Sequence, residues 1–249
     1  WAPINRGGLS KASGFSEYFD TTVTANITGI GRLITSGGTN QFIYSQGTSV
    51  YKLVSGTATS VATITSGAYP HFETAYDKLI ISDGTLTVQA YNGASTANLA
   101  AGGDATALVG TVQTLFYRGR LFAFSATHDT SLLYYSDPNN ITAGYAANFI
   151  NCDVNDGQRI TSIAKYFIPG SLEPTILIGK TNSFGLIQGD GSTANPFTYV
   201  RIDQRQGIPG FRQIIQFGQD AAYFTQEGIA SFKAANNNEN IRQDRKSVV

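Results

Sequence analysis

The sequence has 249 residues, 41% hydrophobic and only 14% charged, with 17 Lys and Arg balanced by 17 Asp and Glu. A formal charge of zero supplies no long-range field toward nucleic acid or an anionic membrane. The single cysteine, Cys152, excludes an internal disulfide framework, and no apolar run reaches the roughly 18 residues of a membrane-spanning helix.

With so little charge, the surface falls to Thr, Ser, Asn, Gln and 27 Gly, the composition of sheets joined by tight turns. The chain opens on Trp1 and has no methionine, so a fragment or processed piece is expected. Its start, WAPINRGGLSK, carries no apolar stretch of signal-peptide type, and a soluble chain is the expectation. Residues 1–26 read as an opening segment with a strand candidate, SEYFDTTVT, that could close a ring by completing the last blade.

Residues 27–235 then repeat one unit: an alternating strand, a short turn, a very apolar strand, a turn with Gly or Ser, and a third strand. The units begin at IGRLIT from Ile30, HFETAY from His71, VQTLFYRG from Val112, ITSIAKYF from Ile160 and FRQIIQFG from Phe211. Equivalent third strands begin at Ser49, Leu86, Ser131, Ser183 and Ile229, roughly 37 to 52 residues apart, which brackets the spacing of four-stranded propeller blades. FTYVRI from Phe197 reads as an outer strand of the fourth unit.

A lone meander cannot bury both faces, so such units stack around an axis. The expected fold is all-β, a β-propeller-like repeat of about five antiparallel blades, with six as the alternative and a β-solenoid as the rival architecture. The uniformly apolar strands KLIISDG, RLFAFSA and PTILIG are expected to be the inner strands, buried on both sides. Residues 236–249, NNNENIRQDRKSVV, read as a polar, truncated connection.

Little in the chain suggests chemistry. His71, after Pro70 at a strand start, reads as a packed or turn-anchoring imidazole, and His128 in THDTS as a solvated loop residue. DVNDGQ places Asp153, Asn155 and Asp156 together, but Gly157 comes one position early for a calcium loop and no closing Glu follows. An Asx-stabilised turn is expected there, and likewise at GDGS from Gly189. No G-x-S-x-G elbow, sialidase Asp box, WD or kelch signature is present. The 13 Tyr and 15 Phe suit an all-β core before they suit stacked sugars. No catalytic residue, cofactor or metal is expected, and the chain is read as a non-enzyme.

The string SLLYYSDPNNITAGYAANFINCDVNDGQRITSIAKY, from Ser131 to Tyr166, resembles a signature of bacteriophage tail propeller proteins. The matching positions are Tyr134, Tyr135, Ser136, Asp137, Phe149, Ile150, Asp156, Gly157, Ile160 and Thr161. ILIGKTNSFGLIQGD, QGIPGFRQII and AAYFTQEGIASFK are similar to later phrases of that family, and RGGLSKASGFSEY to its first.

The resemblance implies a virion structural protein, most like the tail nozzle or tail-hub proteins of short-tailed phages, which assemble as rings, usually of six, around the DNA exit channel. Its implied partners are other tail proteins and copies of itself, with genomic DNA passing nearby without sequence-specific binding and with no membrane insertion. Assembly in the host cytoplasm is implied, with the virion tail as the final location. The connection from Pro138 to Asn155 and the loop from Ser192 to Pro196 are the expected contact surfaces. The alternative is a carbohydrate-binding or glycan-cleaving propeller in transient contact with a bacterial surface polysaccharide, and a weaker third is a bacterial adhesion repeat.

Overall fold

A computed structural model describes Ala2–Pro3, Leu9–Ser10 and residues 25–168, 171, 173–203, 207–217, 220–225, 228–234 and 241–245. Strands β1 (Ala2–Pro3) and β2 (Leu9–Ser10) form a small antiparallel pair. SEYFDTTVT lies outside the described residues.

Among the described residues, five four-stranded antiparallel sheets follow in chain order. Blade 1 comprises β3 (Ile27–Ile34), β4 (Asn40–Gln46), β5 (Ser49–Val54) and β6 (Thr57–Thr63). Blade 2 comprises β7 (His71–Ala75), β8 (Lys78–Ser82), β9 (Gln89–Tyr91) and β10 (Thr96–Asn98), and a one-and-a-half-turn helix α1 (Gly102–Ala107) leads onward. Blade 3 comprises β11 (Thr111–Tyr117), β12 (Arg120–Ser125), β13 (Leu132–Tyr135) and β14 (Phe149–Asn151). Blade 4 comprises β15 (Ile160–Phe167), β16 (Pro174–Lys180), β17 (Phe184–Gln188) and β18 (Thr198–Asp203). Blade 5 comprises β19 (Ile214–Phe217), β20 (Asp220–Thr225), β21 (Gly228–Ala234) and β22 (Ile241–Arg245).

Tight hairpins make this meander possible. Between the paired residues Tyr117 and Arg120, the two-residue loop Arg118–Gly119 has both φ angles positive, 48° and 70°, as a type I′ turn requires. Tyr76–Asp77 adopts the same sign pattern, at 44° and 59°, without a glycine. There the Asp77 carboxylate accepts from the Ser36 amide at 2.7 Å and from its hydroxyl, so a contact to blade 1 supports the strained turn.

The first strands β3, β7, β11, β15 and β19 meet one another in succession and are the innermost of each blade. This corrects the sequence expectation, which assigned that place to KLIISDG, RLFAFSA and PTILIG. These are β8, β12 and β16, the second strands. Their apolar character comes from burial between two neighbouring blades, whereas an innermost strand has one edge free and carries polar residues such as His71, Glu73, Gln113 and Ser162. A second correction concerns the polar tail, because Ile241–Arg245 pairs with β21 as the fourth strand of blade 5.

Four apolar clusters fill the seams between blades, each drawn from facing sides of neighbours. Leu33, Ile43, Leu79 and Ile81 join blades 1 and 2; Ile80, Leu121 and Ala123 join 2 and 3; Phe122, Phe124, Ile163 and Ile178 join 3 and 4; Leu177, Ile214 and Tyr223 join 4 and 5. Blade 1 meets blade 2 unusually closely. A Cβ on Gly31 would lie 3.0–3.1 Å from the Phe72 ring and one on Gly29 3.0 Å from it, so this ring seats in a groove that only glycine leaves.

Gly31→Ala is therefore expected to lower stability by about 1–3 kcal/mol through overpacking. Guanidinium unfolding checks it: the loss should shrink when Phe72→Leu is added, and equal losses in both backgrounds would contradict the groove.

Candidate functional site

Innermost strands have a ladder on one side only, so their other edge carries backbone donors and acceptors that need partners. Side chains of the preceding blade supply them. His71 Nδ1 faces the Thr114 amide at 3.5 Å, and Glu73 Oε1 accepts from the Phe116 amide at 3.0 Å. Gln113 imitates a strand: its Nε2 donates to Ile163 O at 2.9 Å, and its Oε1 accepts from Ile163 N at 3.1 Å. Ser162 Oγ accepts from the Ile214 amide at 3.1 Å, carrying the pattern to blade 5.

These groups are withdrawn from water, and their protonation follows. Burial, with the Arg212 cation adding to it, pushes the His71 imidazole down to about 4, so the ring is neutral at pH 7. Burial pushes the Glu73 carboxyl above its usual range, against the opposing pull of the Phe116 amide and Lys165. The sequence expectation of a packed His71 thus has a specific content: the imidazole accepts from the next blade's edge.

A second cluster joins blades 3 and 4 at the loop Cys152–Gln158. Lys180 is 0% exposed, and its Nζ donates to both oxygens of Asp156 at 2.8 Å, to Cys152 O at 2.5 Å and to Asp153 O at 3.2 Å. Arg201 from β18 closes the cluster, with Nε to Asp153 Oδ2 at 2.7 Å and a terminal nitrogen to Asp156 Oδ2 at 2.9 Å. The loop itself is an Asx-stabilised turn: Asn151 Oδ1 accepts from Val154 N at 3.0 Å and Asp156 Oδ1 from Gln158 N at 2.9 Å. Asp153 and Gly157 take left-handed backbone at its two ends.

Those oxygens, which superficially suggest calcium, already face two cations, so the arrangement is a closed ion cluster. Among the described residues no three His, Cys, Asp or Glu side chains converge as metal ligands. Cys152 lies within the cluster, its thiol pushed up to about 12 by burial, which keeps it protonated and unreactive.

Lys180 was not singled out in the sequence, yet a signal exists. Register places it opposite Ile160 as the last residue of the second strand, where Gln46, Ser82 and Ser125 stand in blades 1 to 3. A lysine where the other blades carry an uncharged polar residue marks the blade with a buried charge to satisfy.

The remaining residues are brought to no common site. His128 lies half-exposed in its loop, 3.0 Å from Asp129 and stacked on Tyr134. At GDGS, Asp190 Oδ1 accepts from the Ser192 amide at 2.8 Å, the expected Asx turn. The connection after Pro138 is pinned: Tyr145 and Ile141 are buried in the seam of blades 2 and 3, and Asp104 accepts from the Gly144 and Ala146 amides at 3.0 and 2.7 Å. The loop ending at Pro196 is exposed, and Arg120 anchors it through Gly191 O at 3.2 Å.

No protein-family model matches the chain, and no curated protein does. Solved structures do. The designed Ika8 protein is similar at TM-score 0.55 and 11% identity, over 87% of this chain and 61% of that one. BamB from Moraxella catarrhalis is similar at 0.52 and 11%, over 86% and 61%. BBS1N, solved in complex with ARL6DN, is similar at 0.50 and 9%, over 88% and 67%. All three are β-propellers, which establishes the fold; at these identities it establishes the fold alone.

Two predictions follow from the geometry. Asp156→Ala strands Lys180 in the interior and is expected to cost about 3–5 kcal/mol in guanidinium unfolding, more than Arg201→Ala, because Arg201 is partly solvated. The second concerns acid. The unfolded His71 imidazole titrates near 6.5 and the native one near 4, so the unfolded chain takes up the proton first and stability is lost as pH falls through that window. Glu73, raised in the native state, acts in the opposite sense and offsets part of the slope. Unfolding free energies measured from pH 7 to pH 4 should show a flatter acid limb in His71→Gln and a steeper one in Glu73→Gln.

Proposed function

We propose that this propeller is a structural part of a tailed-phage virion, a nozzle or hub component whose copies assemble in a ring around the DNA exit channel. The observation that carries the reading is the position of exposed apolar surface on the two terminal blades. On β3, register turns Gly29, Gly31 and Leu33 toward blade 2, which leaves Ile30 and Ile34 on the opposite face beside Phe42 of β4. Ile30 is 65% exposed, and Ile34 and Phe42 are also open. On blade 5, Ile214 and Tyr223 pack toward blade 4, and Ile215, Phe224 and Ile229 lie on the far side, Ile215 at 60% exposure.

Apolar strips of this kind on a chain with 14% charged residues suit protein contact better than solvent. Because the two strips sit on different ends of the blade series, joining one to the other in the next copy is a heterologous contact, the kind that generates rings. The resemblance of Ser131 to Tyr166 to tail propeller proteins supports the virion setting, as does a fold that contains no disulfide and suits assembly in a reducing cytoplasm. BBS1N in its complex with ARL6DN gives a propeller of similar fold seated on another protein.

Imaging and mass spectrometry of purified virions should find the chain in the tail, and its absence from the particle would remove the proposal. Mass photometry of the chain should show assemblies that Ile30→Asp and Ile215→Asp each disperse, with circular dichroism unchanged because both side chains are already in water.

A further inference from the structure

The hairpin between β9 and β10 of blade 2 turns through Asn92–Ser95 and leans on blade 1. Gly93 takes left-handed backbone with φ of 94°, and a Cβ there would lie 3.5 Å from Thr39 and 3.6 Å from Leu33. Its carbonyl accepts from Gln41 Nε2 at 3.2 Å, and the Tyr91 hydroxyl stands 2.6 Å from that carbonyl and 2.8 Å from Gln41 Oε1. Leu33 and Tyr91 are fully buried in the seam of blades 1 and 2, so the Gly93 carbonyl is where this turn is tied to the blade before it.

Asn92 sits immediately before that anchor, exposed to solvent. Of the Asn and Asp residues followed by glycine it alone is an amide; Asp83, Asp156 and Asp190 are carboxylates, whose charge makes their carbon a poor electrophile. Asn92 Oδ1 accepts from the Ala94 amide at 3.0 Å and from the Ser95 amide at 2.8 Å. Two backbone donors on one carbonyl oxygen are the arrangement of an oxyanion hole, which stabilises the charge that grows on the oxygen when its carbon is attacked. The nucleophile is at hand. Gly93 N donates to nothing among the described residues, and its residue has no side chain to shield it.

We propose that Asn92 is a self-modification site, at which the chain closes on its own side chain. The Gly93 nitrogen bonds to Asn92 Cγ, its proton passes through solvent to Nδ2, and the Cγ–Nδ2 bond breaks with its electron pair leaving on ammonia, so a cyclic imide forms. Water then adds to either imide carbonyl. Opening at Cγ gives aspartate at position 92. Opening at the backbone carbonyl gives isoaspartate, which routes the chain through the former side chain and lengthens it by a methylene. That methylene enters directly before the anchor, so the Gly93 carbonyl no longer meets Gln41 and Tyr91, and the seam of blades 1 and 2 loses a tether.

The test incubates the full folded chain at neutral and at mildly alkaline pH, beside a sample unfolded in guanidinium, and follows the peptide bearing Asn92 by mass spectrometry. A gain of about one dalton with release of ammonia is expected, faster at the higher pH and divided between two products of equal mass. The folded chain should react as fast as the unfolded one or up to about tenfold faster, because the native turn holds the two donors in place. Asn92→Gln keeps the amide but needs a larger ring, and its mass should hold. The separated isoaspartate fraction should unfold at lower guanidinium than the fresh chain, and Gln41→Ala, which cuts the same tether without touching the turn, should be shifted the same way. No mass gain at Asn92, or a folded rate below the unfolded one, overturns the site; an isoaspartate fraction as stable as the fresh chain overturns the tether.

Discussion

The unpaired edge of each innermost strand is the constraint that organises this propeller. A strand edge facing the axis offers amides and carbonyls with no ladder to join, and leaving them bare in a narrow channel costs free energy. The chain answers with side chains from the preceding blade: His71 and Glu73 for blade 3, Gln113 for blade 4, Ser162 for blade 5. These contacts also set the rotation between neighbours, because a blade displaced by one residue would lose its acceptors and turn its apolar face the wrong way. Apolar seams supply most of the burial, and the polar edge contacts supply the register.

Blade 1 stands apart in this scheme. It meets blade 2 through a ring in a glycine groove, Phe72 against Gly29 and Gly31, rather than through an acceptor aimed at an amide. Tethers near the rim assist it: Asp77 reaches the Ser36 amide, and Gln41 Nε2 donates to Gly93 O at 3.2 Å. One axial hydrogen bond between the innermost strands, Thr74 Oγ1 to Arg32 O at 3.5 Å, completes this seam.

Much of this was legible in the sequence, and what was not has physical reasons. Five repeats could be read because the second strands, buried on both sides, are uniformly apolar and recur at blade spacing. Their place in the blade was misjudged because burial, rather than distance from the axis, sets apolarity. Outer strands were mostly missed. β6, TATSVAT, is largely exposed and polar; β10 and β14 have three residues each; and β22, IRQDR, looks like a tail. Such strands are held by one neighbour and carry little pattern. DVNDGQ read correctly as a turn from its own side chains, but its cation arrives from Lys180, more than twenty residues away in a strand that scans as plain core.

Rigidity of the connections narrows where function can reside. The segment after Pro138, which as a long loop looked free to bind, is anchored through Tyr145, Ile141 and the Asp104 carboxylate; the loop ending at Pro196 is tied down through Arg120, stacked on Tyr135 and Phe197. Lys180 and its acids saturate one another. One kind of surface then keeps an unmet physical demand, the apolar faces of the terminal blades, and another protein surface of some area is what meets it.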